Sequence, residues 1–110
     1  MGFEVIVTDV FERKFKRLSK KYKSLAKDLI PTIEELEKNP VLGTPIGKDC
    51  YKIRLAISAK GKGKSGGARI ITYVRIVKNI VFLMDIYDKS DQSTISDKEL
   101  KLLIDIIAEE

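Results

Sequence analysis

The first part of the chain shows an apolar strand pattern followed by an amphipathic helix pattern. Phe3 to Val7 is short and apolar, which predicts an opening strand, and Thr8 or Asp9 can then cap a helix. Apolar residues recur at helical spacing from about Val10 to Lys21, with lysines and arginines between them. We therefore predict a strand and then a helix whose outer, basic face is solvated.

A second helix pattern extends from Ser24, which can cap it, to Asn39-Pro40, which would stop it. Pro31 lies inside this pattern and cannot donate a backbone hydrogen bond, so we expect it to kink the helix or split it in two. The segment from Val41 to Asp49 contains glycine and proline at several positions. This composition predicts a loop.

The apolar residues alternate with a period of two from Tyr51 to Ile57, which predicts a strand. Lys52 and Arg54 are its charged residues, and the alternation places them on one face, about 7 Å apart. The following segment, Ser58 to Gly67, is rich in glycine and lysine and predicts a mobile hairpin loop. A charged strand face is therefore expected beside a basic loop.

Two segments rich in β-branched residues, Ala68 to Val77 and Ile80 to Tyr87, predict central strands joined by a tight turn at Lys78-Asn79. The sequence from Ser96 to Glu99 matches a capping box and precedes apolar residues at helical spacing, which predicts a C-terminal helix. The order of elements is then β-α-α-β-β-β-α. This order predicts an α+β fold in which helices pack on one small, largely antiparallel sheet.

The composition limits the chemistry that is possible. With 110 residues the chain can form one packed core, so we predict a single domain over 1–110. Histidine is absent and there is one cysteine, which excludes Ser-His-Asp and Cys-His catalysis, histidine-ligated zinc and an internal disulfide. We expect no metal and no cofactor. Because the longest apolar run, Ile80 to Met84, is too short to cross a bilayer and no signal peptide is evident, we expect a soluble cytoplasmic protein without membrane contact.

The net charge of +5 is distributed unevenly along the chain. Between Lys48 and Lys78 there is one acidic residue, Asp49, among many basic ones. Such clustering indicates a polyanionic partner, namely nucleic acid, an anionic membrane surface or an acidic protein segment. The basic residues of this segment are Lys48, Lys52, Arg54, Lys60, Lys62, Lys64, Arg69, Arg75 and Lys78.

Four basic residues of the predicted sheet can converge on one surface. Antiparallel pairing would bring Arg69 beside Lys52 or Arg54, and Lys89 follows the next strand. Like charges held together repel one another, and an anionic ligand such as a phosphate would relieve that repulsion. The alternative interpretation is an ordinary sheet with one solvated polar face.

The basic loop does not match a phosphate-binding loop, because Ser58 stands where that motif requires glycine and a strand follows instead of a helix. The loop is either a flexible contact to a nucleic acid backbone or a solvated hairpin. Tyr87 either stacks on a base or belongs to the core. The residues that we predict to contact nucleic acid are Lys60, Lys62, Lys64, Arg75 and Tyr87.

Three runs of residues carry a family likeness: Asp49 to Leu55, Lys64 to Ile71, and Ile86 to Ser90. Together they resemble the RelE/ParE superfamily of bacterial toxins, and most closely its RelE/HigB-like members. The resemblance covers nearly the whole chain in the order and size of its elements. It implies the toxin of a type II toxin–antitoxin system, an endoribonuclease that cleaves mRNA in the ribosomal A site and is neutralised by a cognate antitoxin in a hetero-oligomer.

The resemblance also implies a metal-independent reaction, in which the RNA 2′-hydroxyl attacks the adjacent phosphate and leaves a 2′,3′-cyclic phosphate and a 5′-hydroxyl. Lys52 matches the family's proposed general base, and Arg54 matches a second basic residue that contacts the phosphate. Arg69 matches an arginine that stabilises the transition state, and Lys89 falls where arginine is common. Some members have a tyrosine before the last helix as an acid or stacking group, but this chain has Ile95 in that region. The general acid is therefore unassigned.

Two other functions stay open at this point. A ParE-like inhibitor of DNA gyrase would share the fold without requiring Lys52, Arg54 and Arg69 to converge. A catalytically inactive homologue would retain only RNA or antitoxin binding. The presence of all three basic residues favours the nuclease, and we expect Arg69 to lie near the surface rather than in the core.

Overall fold

The computed structural model describes residues 2–61, 63 and 66–108, and within them the chain forms one five-stranded sheet and three α-helices. The strands are β1 (Glu4–Val7), β2 (Thr44–Gly47), β3 (Cys50–Leu55), β4 (Ala68–Arg75) and β5 (Ile80–Asp88). The helices are α1 (Asp9–Lys21), α2 (Leu25–Lys38) and α3 (Asp97–Ala108), and short 3-10 turns cover Ser58–Lys60 and Ile76–Lys78. The sheet order is β1-β5-β4-β3-β2, with β1 parallel to β5 and the other neighbours antiparallel. The predicted α+β class is confirmed.

Side chains cap the first and last helices as the sequence predicts. The Thr8 hydroxyl accepts a hydrogen bond from the Phe11 N–H at 3.3 Å and donates one to the Leu83 carbonyl at 2.8 Å, which ties the start of α1 to β5. At α3, the Ser96 hydroxyl accepts from the Glu99 N–H at 3.1 Å. Both predicted N-termini are therefore confirmed.

For α2, the structure excludes one of the two effects expected of Pro31 and corrects the role predicted for Ser24. Pro31 lies within a single helix and does not split it in two. Pro31 is exposed, so water can replace the backbone hydrogen bond that proline cannot donate. Ser24 occupies the cap position without capping the helix. Its hydroxyl instead donates to Asp28 at 2.8 Å and accepts from the Ala59 N–H at 2.9 Å.

The segment predicted as a loop between α2 and β3 contains the edge strand β2. Lys48 and Asp49 connect β2 to β3, and both have left-handed backbone angles, with φ of 56° and 62°. Such a two-residue turn matches the twist of antiparallel strands. Pro45 is tolerated because β2 is an edge strand and can leave one side unpaired. Turn composition alone does not exclude a short strand.

The predicted central pair of strands is confirmed. β4 and β5 are adjacent in the middle of the sheet. The predicted tight turn at Lys78-Asn79 is wrong, because β4 ends at Arg75 rather than Val77 and the connection consists of the 3-10 turn Ile76–Lys78 and Asn79, which has a left-handed φ of 55°. Gly67, just before β4, passes so close to β3 that any side chain there would collide with the Leu55 carbonyl oxygen. This close approach explains the glycine that precedes the strand.

Helices cover both faces of the sheet. α1 and α2 pack on one face, and α3 packs on the opposite face, which we call the α3 face. The buried residues on the first side include Phe11, Leu25, Leu36, Ile53, Ile70 and Leu83. The buried apolar cluster on the α3 face includes Cys50, Ile71, Met84, Tyr87, Leu100 and Ile107.

Candidate functional site

The strand register brings the predicted site residues together on the α3 face. Arg54 on β3 is directly opposite Arg69 on β4, and Arg69 is directly opposite Tyr87 on β5. Side chains directly opposite each other in an antiparallel pair have Cβ atoms about 5 Å apart. We call these three residues the cross-strand row. Lys52 lies two positions before Arg54 and therefore on the same face.

Burial differs strongly along the cross-strand row. Arg54 is exposed, whereas Arg69 is 3% exposed and Tyr87 is 5% exposed. The expectation that Arg69 lies near the surface is therefore wrong, because β4 is the middle strand and both faces of the sheet are covered. Burial lowers the pKa of the Arg69 guanidinium, and the neighbouring charge of Arg54 lowers it further. The row thus holds two cations in mutual repulsion, as the sequence predicted.

Lys60 occupies a different environment from the one predicted. Its ammonium group forms an ion pair with Asp88 at 2.8 Å, and the side chains are 8% and 0% exposed. It also donates a hydrogen bond to the Ser90 hydroxyl at 2.9 Å and lies 5.5 Å from the centre of the Tyr22 ring. These contacts support a role in anchoring the loop rather than in contacting a phosphate.

Asp88 accepts hydrogen bonds from several groups. The Tyr22 hydroxyl donates to it at 2.6 Å and the Ser90 N–H at 2.9 Å, in addition to Lys60. Burial alone would raise the pKa of the Asp88 carboxyl, but these hydrogen bonds and the charge of Lys60 outweigh it and hold the pKa well below its usual range. Asp88 is therefore ionised and joins Tyr22, just after α1, to β5 and the basic loop.

A second carboxylate anchors the same loop from α2. The two oxygens of Asp28 accept from the Ser58 hydroxyl at 2.6 Å and the Ser58 N–H at 2.9 Å, beside the bond from Ser24. Burial opposes ionisation of Asp28, but these hydrogen bonds lower its pKa overall. The first turn of the predicted mobile loop is thus held at two points, Asp28 and Asp88.

The remaining predicted residues are spread over the molecule. Lys62 and Lys64 lie outside the described residues. Lys89 is exposed just beyond β5, where its N–H donates to the Gly67 carbonyl at 3.1 Å, at the same end of the sheet as Arg69. Arg75 lies at the opposite end of β4, about 20 Å from Arg69 at the usual rise per strand residue. The structure therefore does not bring Arg75 to the cross-strand row.

Sequence reasoning missed the buried carboxylates of β5. Asp85 is 1% exposed and pairs with Lys14 of α1 at 2.6 Å, while its other oxygen has no hydrogen-bond partner in the described part of the chain. Charged residues within an otherwise apolar central strand are a signal for buried ion pairs, because an isolated buried charge is costly. Their partners, Lys14 and Lys60, are distant in sequence and carry no such signal.

The described residues contain neither a candidate metal-binding cluster nor a helix suited to cross a membrane. Among residues 2–61, 63 and 66–108, there is no group of three or more acidic or cysteine side chains that could hold a metal ion. In the same part of the chain, every helix is too short or too polar to span a membrane.

Comparison with known proteins identifies the family. A sequence model described as the RelE toxin of the RelE / RelB toxin-antitoxin system matches residues 8–109. The chain belongs to the RelE toxin family. This match covers nearly the whole of this RelE family toxin and confirms the family resemblance noted in the sequence.

Solved RelE structures from Escherichia coli share the fold of this RelE family toxin. An arginine-to-alanine double mutant of RelE in the free state has 16% sequence identity and a TM-score of 0.63, with 97% of this chain and 99% of that chain covered. The isolated RelE toxin matches with 21% identity, a TM-score of 0.53, and coverage of 94% and 98%. A chain of the intact RelBE toxin-antitoxin complex matches with 22% identity, a TM-score of 0.53, and coverage of 78% and 95%. At these identities the similarity establishes the fold.

Proposed function

We propose that this chain is the toxin of a type II toxin–antitoxin system and that it cleaves mRNA on the ribosome as a metal-independent endoribonuclease. A cognate antitoxin would neutralise it by forming a hetero-oligomer, as the RelBE complex suggests by analogy. The observation that carries the proposal is the cross-strand register, in which Arg54 faces Arg69 while Lys52 lies on the same face. Two cations held in repulsion on adjacent strands favour a bound phosphate.

The reaction requires one proton to be removed, negative charge to be stabilised and one proton to be returned. In the proposed roles, the Lys52 amine accepts the proton of the 2′-hydroxyl as that oxygen attacks the adjacent phosphorus. Arg54 and Arg69 stabilise the negative charge of the phosphorane, which is commonly a large contribution to catalysis. Lys89 is exposed at the same end of the sheet. Its proposed role is to stabilise the negative charge that develops on the leaving 5′-oxygen.

Induced expression in a bacterial host, followed by mapping of new mRNA 5′ ends, tests the proposal. We expect cuts within coding sequence that follow the reading frame, and we expect Arg54→Ala to reduce them by about 10²-fold or more, because a transition-state cation is lost. Arg54 is exposed, so this substitution should not disturb the core. Arg13→Ala on α1 removes an equal charge from an exposed site and serves as the control.

The same experiment separates the alternatives. Growth arrest without new 5′ ends would contradict RNA cleavage and would favour inhibition of DNA gyrase. Continued growth, with the chain expressed and folded, would favour an inactive homologue. The match to the RelE family supports the nuclease over the gyrase inhibitor.

The basic loop yields a separate prediction about RNA binding. Joint substitution of Lys62 and Lys64 by alanine is expected to weaken binding of single-stranded RNA. The substitution should also reduce the steepness of log affinity against log salt concentration by about 1.4. For single-stranded RNA, each lysine that contacts a phosphate releases about 0.7 of a counterion on binding, and the variant lacks two such lysines. Lys60 is left intact because its buried ion pair supports the fold.

Filter binding of labelled RNA across a range of salt concentrations measures this slope. Lys98 and Lys101 are exposed on α3, and their joint replacement by alanine removes the same charge elsewhere. A slope for the loop variant that equals that of the wild type would exclude the loop as a phosphate contact.

A further inference from the structure

The hydroxyl group of Tyr87 is a buried polar group that packing does not explain. Its oxygen is inaccessible to solvent and has no hydrogen-bond partner within the described part of the chain. The large majority of buried polar side-chain atoms in folded proteins are paired, so each exception requires an explanation. Phenylalanine would fill the same space in the α3 face without leaving a donor unpaired.

The position of Tyr87 suggests what this donor is for. Tyr87 is directly opposite Arg69, which is directly opposite Arg54, so the phenol ends a row of two cations on adjacent strands. A phosphate held by the two guanidinium groups would lie beside the phenol side chain. Of the groups in this row, the phenol has the proton that is easiest to give up, since arginine stays protonated in proteins.

The surroundings of Tyr87 keep the hydroxyl protonated before the reaction. Burial raises the pKa of the phenol; the Arg69 charge opposes this shift, while the carboxylates of Asp85 and Glu99 reinforce it. The group is therefore a neutral hydrogen-bond donor. Once the proton has left, the positive charge of Arg69 is the neighbouring group that would stabilise the phenolate.

Resting on the proposed function, we propose that Tyr87 is the general acid of RNA cleavage. The 2′-oxygen bonds to phosphorus and its proton passes to the Lys52 amine. The bond from phosphorus to the 5′-oxygen breaks, and the 5′-oxygen takes the hydroxyl proton of Tyr87. The products are a 2′,3′-cyclic phosphate, a 5′-hydroxyl, a protonated Lys52 and a phenolate at Tyr87. The Lys52 ammonium then releases its proton to water and the phenolate takes one up from water, which restores both groups.

Access to the hydroxyl requires a local movement. Tyr87 belongs to the same apolar cluster as Ile95, before α3, and Leu100, in its first turns. Tyr87 also lines a cavity of about 160 Å³ between α1 and the end of β5, which two basic residues, Lys14 and Arg17, and two acidic residues, Asp88 and Asp91, line as well. Because the hydroxyl is inaccessible to solvent, proton transfer requires a state in which the packing around Tyr87 has opened to the substrate.

Tyr87→Phe tests the assignment by removing the proton and little else. With ribosomes carrying a synthetic mRNA at the codon that the wild type cuts, we expect the cleavage rate to fall by about 10²- to 10⁴-fold. The melting temperature should stay the same or rise, because the substitution removes an unpaired buried hydroxyl. Tyr73→Phe is the matched control, since it removes one hydroxyl from a half-buried tyrosine on the same face, and we expect an unchanged rate.

A second substrate distinguishes an acid from a positioning residue. In an mRNA with sulfur in place of the bridging 5′-oxygen at the cleaved linkage, the leaving thiolate needs no proton, because thiols are far more acidic than alcohols. We expect Tyr87→Phe to cleave this substrate at nearly the wild-type rate. Equal impairment on both substrates would overturn the assignment of Tyr87 as the acid.

The outcomes also separate this inference from the proposed function. Wild-type cleavage with no effect of Tyr87→Phe on the oxygen substrate would overturn the role of Tyr87 and leave the nuclease proposal standing. Absence of cleavage by the folded wild-type chain would overturn both.

Discussion

Replacing Asp88 by alanine is expected to lower the free energy of unfolding by about 3–5 kcal/mol, because the change leaves a buried ammonium group without its counterion. Lys60 and Asp88 are 2.8 Å apart and their side chains are 8% and 0% exposed. The Tyr22 hydroxyl and the Ser90 N–H would lose their acceptor as well. Urea unfolding followed by circular dichroism measures the change.

Two further variants show whether the effect comes from the buried pair. Glu12→Ala breaks the exposed pair between Glu12 and Lys16, whose side chains are 52% and 70% exposed, and should cost no more than about 1 kcal/mol. The double variant Lys60→Met, Asp88→Leu should be more stable than Asp88→Ala, because no unpaired charge stays buried. A cost for Asp88→Ala as small as that of Glu12→Ala would mean that the buried pair contributes little.

The same carboxylate predicts the direction of acid sensitivity. The pKa of Asp88 is lower in the folded chain than in the unfolded chain, so the unfolded state binds the proton first as pH falls. The stabilising contribution is fully present above the ordinary carboxyl pKa of about 4 and is lost as pH falls below it. The difference in stability between the wild type and Asp88→Ala should therefore shrink from pH 7 to pH 3.

Arg69→Lys is expected to reduce mRNA cleavage by about 10²- to 10³-fold, although it keeps the positive charge. Arginine presents several donors in a planar fork that matches a phosphate, whereas lysine is a single charged point on a flexible chain. The buried position of Arg69, opposite both Arg54 and Tyr87, allows little rearrangement of a replacement side chain. The cleavage rate on programmed ribosomes, measured well below the melting temperature, checks this prediction.

Arg13→Lys makes the same change at an exposed site on α1 and should leave the rate unaffected. A melting curve for each variant separates loss of chemistry from loss of fold, which matters because Arg69 is buried. Wild-type cleavage by a folded Arg69→Lys variant would remove Arg69 from the catalytic group.

Much of the architecture could be predicted because it depends on neighbouring residues. The capping residues Thr8 and Ser96, the helical spacing and the two-residue alternation are local signals, and the structure contains the corresponding helices and strands. The β2 strand was missed since its turn uses Lys48 and Asp49 in left-handed conformations that glycine and asparagine adopt more readily. The alternation also placed Lys52 and Arg54 on one face, a consequence of strand geometry alone.

The sequence by itself determined which basic residues this RelE family toxin has and which strand face carries Lys52 and Arg54. Only the tertiary structure decided that Arg69 is buried opposite Arg54 and that Lys60 pairs with Asp88. The burial of a residue depends on which elements cover its strand. Whether two residues that are distant in sequence come into contact depends on strand register and strand order. A local sequence pattern encodes neither, because these contacts arise when the whole sheet and its helices assemble.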